Sequence, residues 1–238
     1  MHASRRAIRS SSTNQDMKAA MKVRSLGALA LAGAACVPVA RAGAQTTDTN
    51  RPSTVIYVAT LHPMNTNVTG LETTGTARFT ITGDSLTISI TAQKVAPGIM
   101  HLQHFHGFKD NRNATCPTNA ADANHDGIID LIETEPTSGT TMVPFTADPV
   151  SMQIVVDTYP KASADGTYQY EMTVSLKALA AAFAKEFGGQ KLDLERRVVF
   201  IHGVPPTTKL PASVASLGTI PAQVTLPIAC GKINRLEQ

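Results

Sequence analysis

The sequence has no tryptophan, few aromatic residues (5%) and three cysteines among its 238 positions. It also has no Gly-x-Ser-x-Gly motif and no glycine-rich phosphate loop, so it lacks the signatures of α/β-hydrolases and of nucleotide-binding enzymes. An apolar run at 26–40 is too short to cross a bilayer as a helix. What is present, 42% hydrophobic residues over this length, is enough for a single domain with a real core.

The apolar run near the N-terminus has the pattern of a secretory signal peptide. Lys22 and Arg24 precede it, and the small-residue sites Ala40-Arg41-Ala42 and Ala42-Gly43-Ala44 follow it. The sequence therefore predicts export, to the periplasm or the extracellular space. The expected organisation is an upstream segment and signal peptide at 1–44, a flexible N-terminus at 45–53, and one domain at 54–238.

Removal of this leader changes the charge and cysteine content of the chain. It carries 7 of the 21 basic residues but one of the 18 acidic ones, which leaves 14 basic and 17 acidic residues and a net charge of about −3. A net acidic chain does not indicate a nucleic-acid or anionic-membrane partner. The remaining cysteines, Cys116 and Cys230, are expected to form a disulfide in an oxidising compartment. No transmembrane segment is expected in the mature chain, and the oligomeric state stays open.

From residue 55 onward the hydrophobic pattern is that of β-strands. Apolar residues alternate with polar ones on both sides of Gly83-Asp84, which predicts a hairpin with one buried face. A period change at 176–187 predicts one short helix, and 109–149 is a long irregular section. The fold class expected is all-β, a Greek-key β-sandwich or flattened barrel of about eight antiparallel strands. Strands are predicted around 55–61, 77–81, 86–90, 104–106, 150–156, 168–176, 197–202 and 224–233.

A histidine-rich stretch at 98–108 is the first candidate site. His104 and His106 are two positions apart, so in a strand their imidazoles leave the same face. Two adjacent imidazoles form a ready pair of metal ligands. His101 has the opposite parity and is expected to bond nearby backbone instead.

The long section contains an EF-hand-like calcium loop at 122–133. Oxygen ligands fall at positions 1, 3, 5, 7, 9 and 12 of the twelve-residue pattern, with Gly127 at the sharp turn in position 6. Pro136 is expected to stop any exit helix after about one turn, so the loop is predicted to be structural, not a sensor. The predicted ligands are Asp122, Asn124, Asp126, the carbonyl of Ile128, Asp130 and Glu133.

The ordered set of these residues resembles the copper/zinc superoxide dismutase family. The residues that carry the likeness are His101-x-x-His104-x-His106, Cys116, the strand that ends at His202-Gly203, and Cys230 in the terminal Ala-Cys-Gly-Lys-Ile. The resemblance implies an eight-stranded Greek-key barrel with His104, His106 and His202 as copper ligands. It further implies that His101 is a buried histidine beside the ligands, that Cys116 and Cys230 are bonded, and that superoxide, a small anion, is a candidate substrate.

Three positions depart from that family. Asp122 stands where the resemblance calls for the histidine shared by copper and zinc, and Pro227 stands where it calls for the arginine that guides the anion. Val204-Pro205-Pro206 replaces the expected acidic pair. Zinc is therefore not expected. Fast dismutation is harder to support, because the mature chain is net acidic and has no arginine at the position that would guide the anion. His125, which points outward from the calcium loop, could serve as a fourth copper ligand.

Two functions of different classes follow. The first is an exported copper-binding protein of superoxide dismutase-like fold with a structural calcium site, its dismutase or redox activity left open. The alternative is a non-enzymatic secreted β-sandwich binding module, similar to chordin-type domains, stabilised by calcium and a disulfide. A separation above about 8 Å between His202 and the pair of His104 and His106 would rule out a shared ion and favour the alternative.

Overall fold

The computed structural model describes residues 52–237, so the predicted signal peptide and most of the predicted flexible N-terminus lie outside the described residues. Four short helices accompany the strands: α1 (Thr66–Thr69), α2 (Leu131–Ser138), α3 (Leu176–Glu186) and α4 (Ala222–Thr225). The strands are β1 (Thr54–Pro63), β2 (Thr74–Thr82), β3 (Ser85–Gln93), β4 (Gln103–Gly107), β5 (Thr140–Pro144), β6 (Thr167–Ser175), β7 (Val198–His202), β8 (Pro227–Lys232) and β9 (Asn234–Arg235).

Eight strands follow one antiparallel path in the order β5-β4-β7-β8-β1-β2-β3-β6, and the two-residue β9 pairs with β1. β1 connects the two halves, because its first eight residues pair with β2 while His62 and Pro63 pair with β8. The arrangement confirms the all-β class and agrees with a Greek-key β-sandwich or flattened barrel. Within residues 52–237, no helix has the length and apolar character needed to cross a bilayer.

The hairpin of β2 and β3 forms as predicted, with Thr82 paired to Ser85 across a two-residue turn. Its inward residues are fully buried, as alternation with one covered face requires. They join a single large core with β4, β5, β7 and α3, which contributes Leu179 and Phe183. The disulfide between Cys116 and Cys230 is confirmed, with Cα atoms 5.8 Å apart. The buried hairpin residues are Ala77, Phe79, Leu86, Ile88 and Ile90.

The strand predicted at 150–156 is wrong, because this segment holds two 3-10 turns, Pro149–Ser151 and Val156–Thr158. The Asp148 side chain accepts a hydrogen bond from the Val150 N–H and turns the chain there. Conversely, β5 lies inside the section predicted to be irregular.

The exit helix α2 is also longer than predicted, since it continues for two residues past Pro136. A capping box at its start, formed by Asp130 and Glu133, offsets the hydrogen bond that the proline cannot donate.

Candidate metal centre

The pairing of β4 with β7 brings three histidines to one point. His104 lies opposite Phe200, and because residues two apart share a face, His106 and His202 lie on that same face. The His104 ring centroid is 4.8 Å from that of His106 and 4.6 Å from that of His202. The candidate ligand nitrogens all lie within 4.8 Å of one another. These separations are well below the limit that would have excluded a shared ion.

Two β-bulges lie beside the histidines. The β4–β5 register shifts between Phe105 and His106, and the β7–β8 register shifts between Ile201 and His202. A bulge bends its strand and changes the direction of the neighbouring side chain. The extra residues are Met142 in β5 and Ile228 in β8, so each irregularity lies in the partner strand, directly opposite His106 or His202.

Hydrogen bonds to backbone carbonyls determine which nitrogen of two rings carries the proton. The Nδ1–H of His106 donates to the Gly139 carbonyl at 3.0 Å, and the Nδ1–H of His202 donates to the Thr225 carbonyl at 2.7 Å. A carbonyl oxygen can only accept, so the proton lies on Nδ1 in both rings and Nε2 holds a lone pair. The His106 Nε2 lies 3.2 Å from the Thr141 hydroxyl.

Burial keeps all three rings neutral. Desolvation, with the nearby His202 as a second cause, lowers the pKa of His106 to about 3. Desolvation likewise lowers the pKa of His202 to about 4, against the opposing effect of its bond to Thr225. The pKa of His104 falls well below 6.5 because of burial and then because of His202 and His106. Neutral imidazoles with free lone pairs are the form that binds a metal ion.

The nitrogens left without partners fit a metal ion. Both nitrogens of His104 and the Nε2 of His202 are buried and have no hydrogen-bond partner, which is costly for polar atoms unless another ligand satisfies them. An ion about 2.0–2.1 Å from each nitrogen needs the nitrogens to be no more than ~4.2 Å apart. A side-chain shift of less than about 1 Å closes the set, and imidazole is a good ligand for copper.

His101 lies just before β4, and both of its ring nitrogens are close to backbone carbonyls. Its Nδ1 is 3.0 Å from the carbonyl oxygen of His202 and its Nε2 is 2.9 Å from that of Ala96. Burial lowers the pKa of His101, and the two backbone contacts oppose that change. The residue thus contacts the backbone of β7 at His202 without joining the three-histidine group.

Sequence reasoning missed the groups that orient the rings. Gly139 is one of them, and no other residue fits there: its φ is +75°, and a Cβ would lie 2.0 Å from the Gly107 carbonyl oxygen. Its position at the C-terminal end of α2 was a usable signal, because a glycine after a helix commonly adopts positive φ. The Thr225 carbonyl gave no sequence signal at all.

A buried arginine lies beside the same strands. The side chain of Arg197 is fully buried just before β7 and is held by four acceptors, the carbonyls of Leu192 and Lys191 and the side chains of Asn111 and Gln190. Burial lowers its pKa to about 10. It fixes the segment that follows β4 against the start of β7, so it supports the two histidine-bearing strands from outside the centre.

The predicted calcium loop is folded around its own carboxylates. Gly127, at φ +81°, donates its N–H to Asp122 Oδ2 at 2.9 Å. Glu133 Oε1 accepts from the N–H groups of Ala123 and Asn124, at 2.8 and 3.2 Å. The first and last predicted ligands are therefore brought to the centre of the same loop, with Gly127 in the left-handed conformation that the turn requires.

The rest of the loop is anchored to the domain. Asn65 bonds both the N–H and the carbonyl of Ile129 at 2.9 Å, and Ser213 donates to Asp126 at 2.6 Å. Asp130 caps α2, accepting from the Ile132 N–H. Asn124 and Ile128 also lie in this loop, whereas His125 is exposed and does not belong to the three-histidine group.

Comparisons with known proteins give a likeness at the level of structure. No family model matches the chain, and no curated protein matches it. Among solved structures, the chain is similar to the Cu/Zn superoxide dismutase from Brucella abortus, with 19% sequence identity and a TM-score of 0.41. The alignment covers 75% of this chain and 99% of that chain.

Proposed function

We propose that this chain is an exported copper-binding protein of superoxide dismutase-like fold, in which His104, His106 and His202 hold one copper ion. The observation that carries the proposal is that three neutral imidazoles meet in a buried position. Both nitrogens of His104 and the Nε2 of His202 have no protein partner there. The order of histidines and cysteines that resembles the copper/zinc superoxide dismutases supports the choice of copper.

The residues around the centre would fix the ligands before the metal arrives. The Gly139 and Thr225 carbonyls hold two rings with Nε2 directed away from their acceptors, which lowers the cost of ordering the ligands and raises their basicity. Bound copper would supply one-electron redox chemistry at this point. Since copper stands above zinc in the order of divalent affinities, the protein should select Cu(II) when both ions are offered in equal amounts.

Metal analysis after dialysis tests the copper site directly. We expect one copper per chain in the parent protein and none in the double variant His104→Ala/His202→Ala. His62→Ala, which removes an exposed histidine of β1, is the matched control and should keep the full copper content. Equal copper in the double variant and the control would refute the site.

Rapid dismutation of superoxide is not part of the proposal. Pro227 occupies the position where the resemblance calls for an anion-guiding arginine, and the mature chain is net acidic, so no positive field favours the approach of an anion. A superoxide assay on copper-loaded protein with a rate above that of free buffer copper would require this restriction to be abandoned.

The loop at 122–133 is proposed to hold a structural calcium ion. Its support is the full twelve-residue pattern together with the position of Asp122, Asp126 and Glu133 around one turn. A ligand at one hundred times its dissociation constant stabilises a protein by about 2.7 kcal/mol. Calcium should therefore raise the melting temperature of the parent protein but not that of Glu133→Gln, while Glu72→Gln, an exposed substitution, keeps the response. A response retained in Glu133→Gln would contradict the site.

Export is proposed from the leader pattern and is supported by the disulfide, a bond that persists in oxidising compartments. Cell fractionation, with mass spectrometry of the mature N-terminus, tests it: a chain that begins at Gly43 or Gln45 is expected, and an intact leader in the cytoplasm would contradict it.

A further inference from the structure

The three histidines form the floor of a cavity of about 320 Å³ that is open to solvent. This volume is within the range of small-molecule sites and far exceeds what a diatomic ion requires. The cavity is therefore built for something larger than a metal ion and one small oxidant. The residues that line the cavity determine which kind of molecule it can bind.

Slightly more than half of the cavity wall is apolar. Charged side chains are few, and Lys109 is outweighed by Glu135 and Glu186, so the lining carries a net charge of −1. Neutral hydrogen-bonding groups, the hydroxyls of Thr140 and Thr141, lie among the lining residues. The apolar part comprises Leu102, Leu131, Met142, Pro144, Met152, Ile154, Phe187 and Leu217.

Apolar side chains also stand exposed around the cavity. Ile154 and Leu217 line it and remain 38% and 45% exposed, and their sequence neighbours include Val155 at 43%. Leu236, at 47%, lies on a different cavity of the protein. Large apolar side chains gathered at the edge of one cavity gain free energy when a ligand covers them.

An anion does not suit this arrangement in the metal-free protein. It would meet a net negative lining and lose its hydration against an apolar wall. A neutral molecule with an apolar ring avoids both costs, buries the exposed edge, and can direct one oxygen toward the threonine hydroxyls and the floor.

We infer that this cavity binds a neutral small molecule with an apolar, ring-sized body and one oxygen donor, the simple phenols being the representative class. The role of the oxygen as a ligand at the floor rests on the proposed copper site, whereas the fit of the apolar body rests on the walls alone.

Fluorine NMR titration with 4-fluorophenol tests the inference on metal-free and on Cu(II)-loaded protein. We expect saturable binding in both forms, and broadening of the bound resonance by Cu(II) beyond that in the metal-free form. 4-Fluorobenzoate, a probe of similar size with one negative charge, should bind the metal-free protein about tenfold more weakly or worse.

Leu217→Glu and Leu236→Glu form a matched pair, because both side chains are nearly half exposed and neither is part of the core. Leu217→Glu should weaken phenol binding by about tenfold or more, the usual effect of losing one apolar contact in a pocket, while Leu236→Glu leaves it unchanged. Copper content should stay at one per chain in both variants.

Three results would overturn the inference: no phenol binding by the parent protein, equal weakening by the two substitutions, or benzoate binding as tight as that of the phenol. Phenol binding that survives while the parent protein takes up no copper would remove the copper proposal and leave the cavity assignment in place.

Discussion

Acid should destabilise the metal-free domain, because three buried histidines resist protonation. The folded-state pKa is about 3 for His106 and about 4 for His202, and for His104 it is well below 6.5. In the unfolded chain all three titrate near 6.5. Between these values the unfolded state binds more protons than the folded state. Stability therefore is complete above pH 6.5 and is lost as the pH falls toward the folded-state pKa values.

The expected loss at pH 5 follows from the distance to the unfolded pKa. His106 and His202 are unprotonated at pH 5 in the folded protein but mostly protonated in the unfolded chain, 1.5 pH units below 6.5. At about 1.36 kcal/mol per pH unit, His106 and His202 cost about 2 kcal/mol each and about 4 kcal/mol together, and the lowered pKa values of His104 and His101 add to the loss in the same direction. That is a large share of the ~5–15 kcal/mol that stabilises a typical domain.

Urea unfolding of metal-free protein at pH 7 and pH 5 measures this loss. His104→Leu removes one of the three titrating rings without breaking a hydrogen bond, since neither nitrogen of His104 has a partner. The variant should lose less free energy between the two pH values than the parent, by up to about 2 kcal/mol, which is the limit set by the unfolded-state pKa. The denaturant slope should be the same for both proteins, which would show that they expose the same surface on unfolding. If His104→Leu loses as much free energy as the parent, the three buried histidines are not the cause.

Three further predictions concern the supports of the centre. Gly139→Ala forces a Cβ against backbone and displaces the acceptor of His106, so copper affinity measured by competition with a chelator should fall about 10- to 100-fold; unchanged affinity would show that this carbonyl does not orient the ring. Arg197→Lys leaves four acceptors to one ammonium group, and urea unfolding should show a loss of about 2–4 kcal/mol, with a loss under about 0.5 kcal/mol arguing against its supporting role. Replacing Cys116 and Cys230 by serine opens the loop that the disulfide closes between positions 114 apart. The free energy of unfolding should fall by up to about 5 kcal/mol on the chain-entropy model. An unchanged free energy of unfolding would indicate a compact unfolded state.

Strands with one covered face were predictable from the sequence because alternation fixes which side chains are buried. β2 and β3 meet this condition, whereas β4 is buried on both faces and the two-residue spacing alone places His104 and His106 together. The segment at 150–156 alternates in the same way, yet no strand edge is paired with it in the described residues, and Ile154 remains exposed at the cavity. Alternation alone does not distinguish a strand from a turn-rich segment that lines a pocket.

The parts of the centre that come from distant segments could not be read from spacing. His202 was predicted to be a ligand only from a family resemblance, since nothing in the sequence around it connects it to β4. β5 was not predicted, because its bulge opposite His106 interrupts the alternation of buried and exposed side chains. The Gly139 and Thr225 carbonyls are backbone groups, and any residue type supplies a carbonyl.

The placement of the three ligands also constrains when a metal can enter. His202 lies 98 positions after His104, and β8, which pairs with its strand, contains Cys230 close to the C-terminus. A partial chain emerging from a ribosome or a translocon would contain two of the imidazoles but not the third, and long-range pairings of this kind form late in folding. If the proposed copper site is correct, loading would follow completion of the polypeptide, and the ion would be acquired wherever the finished domain resides.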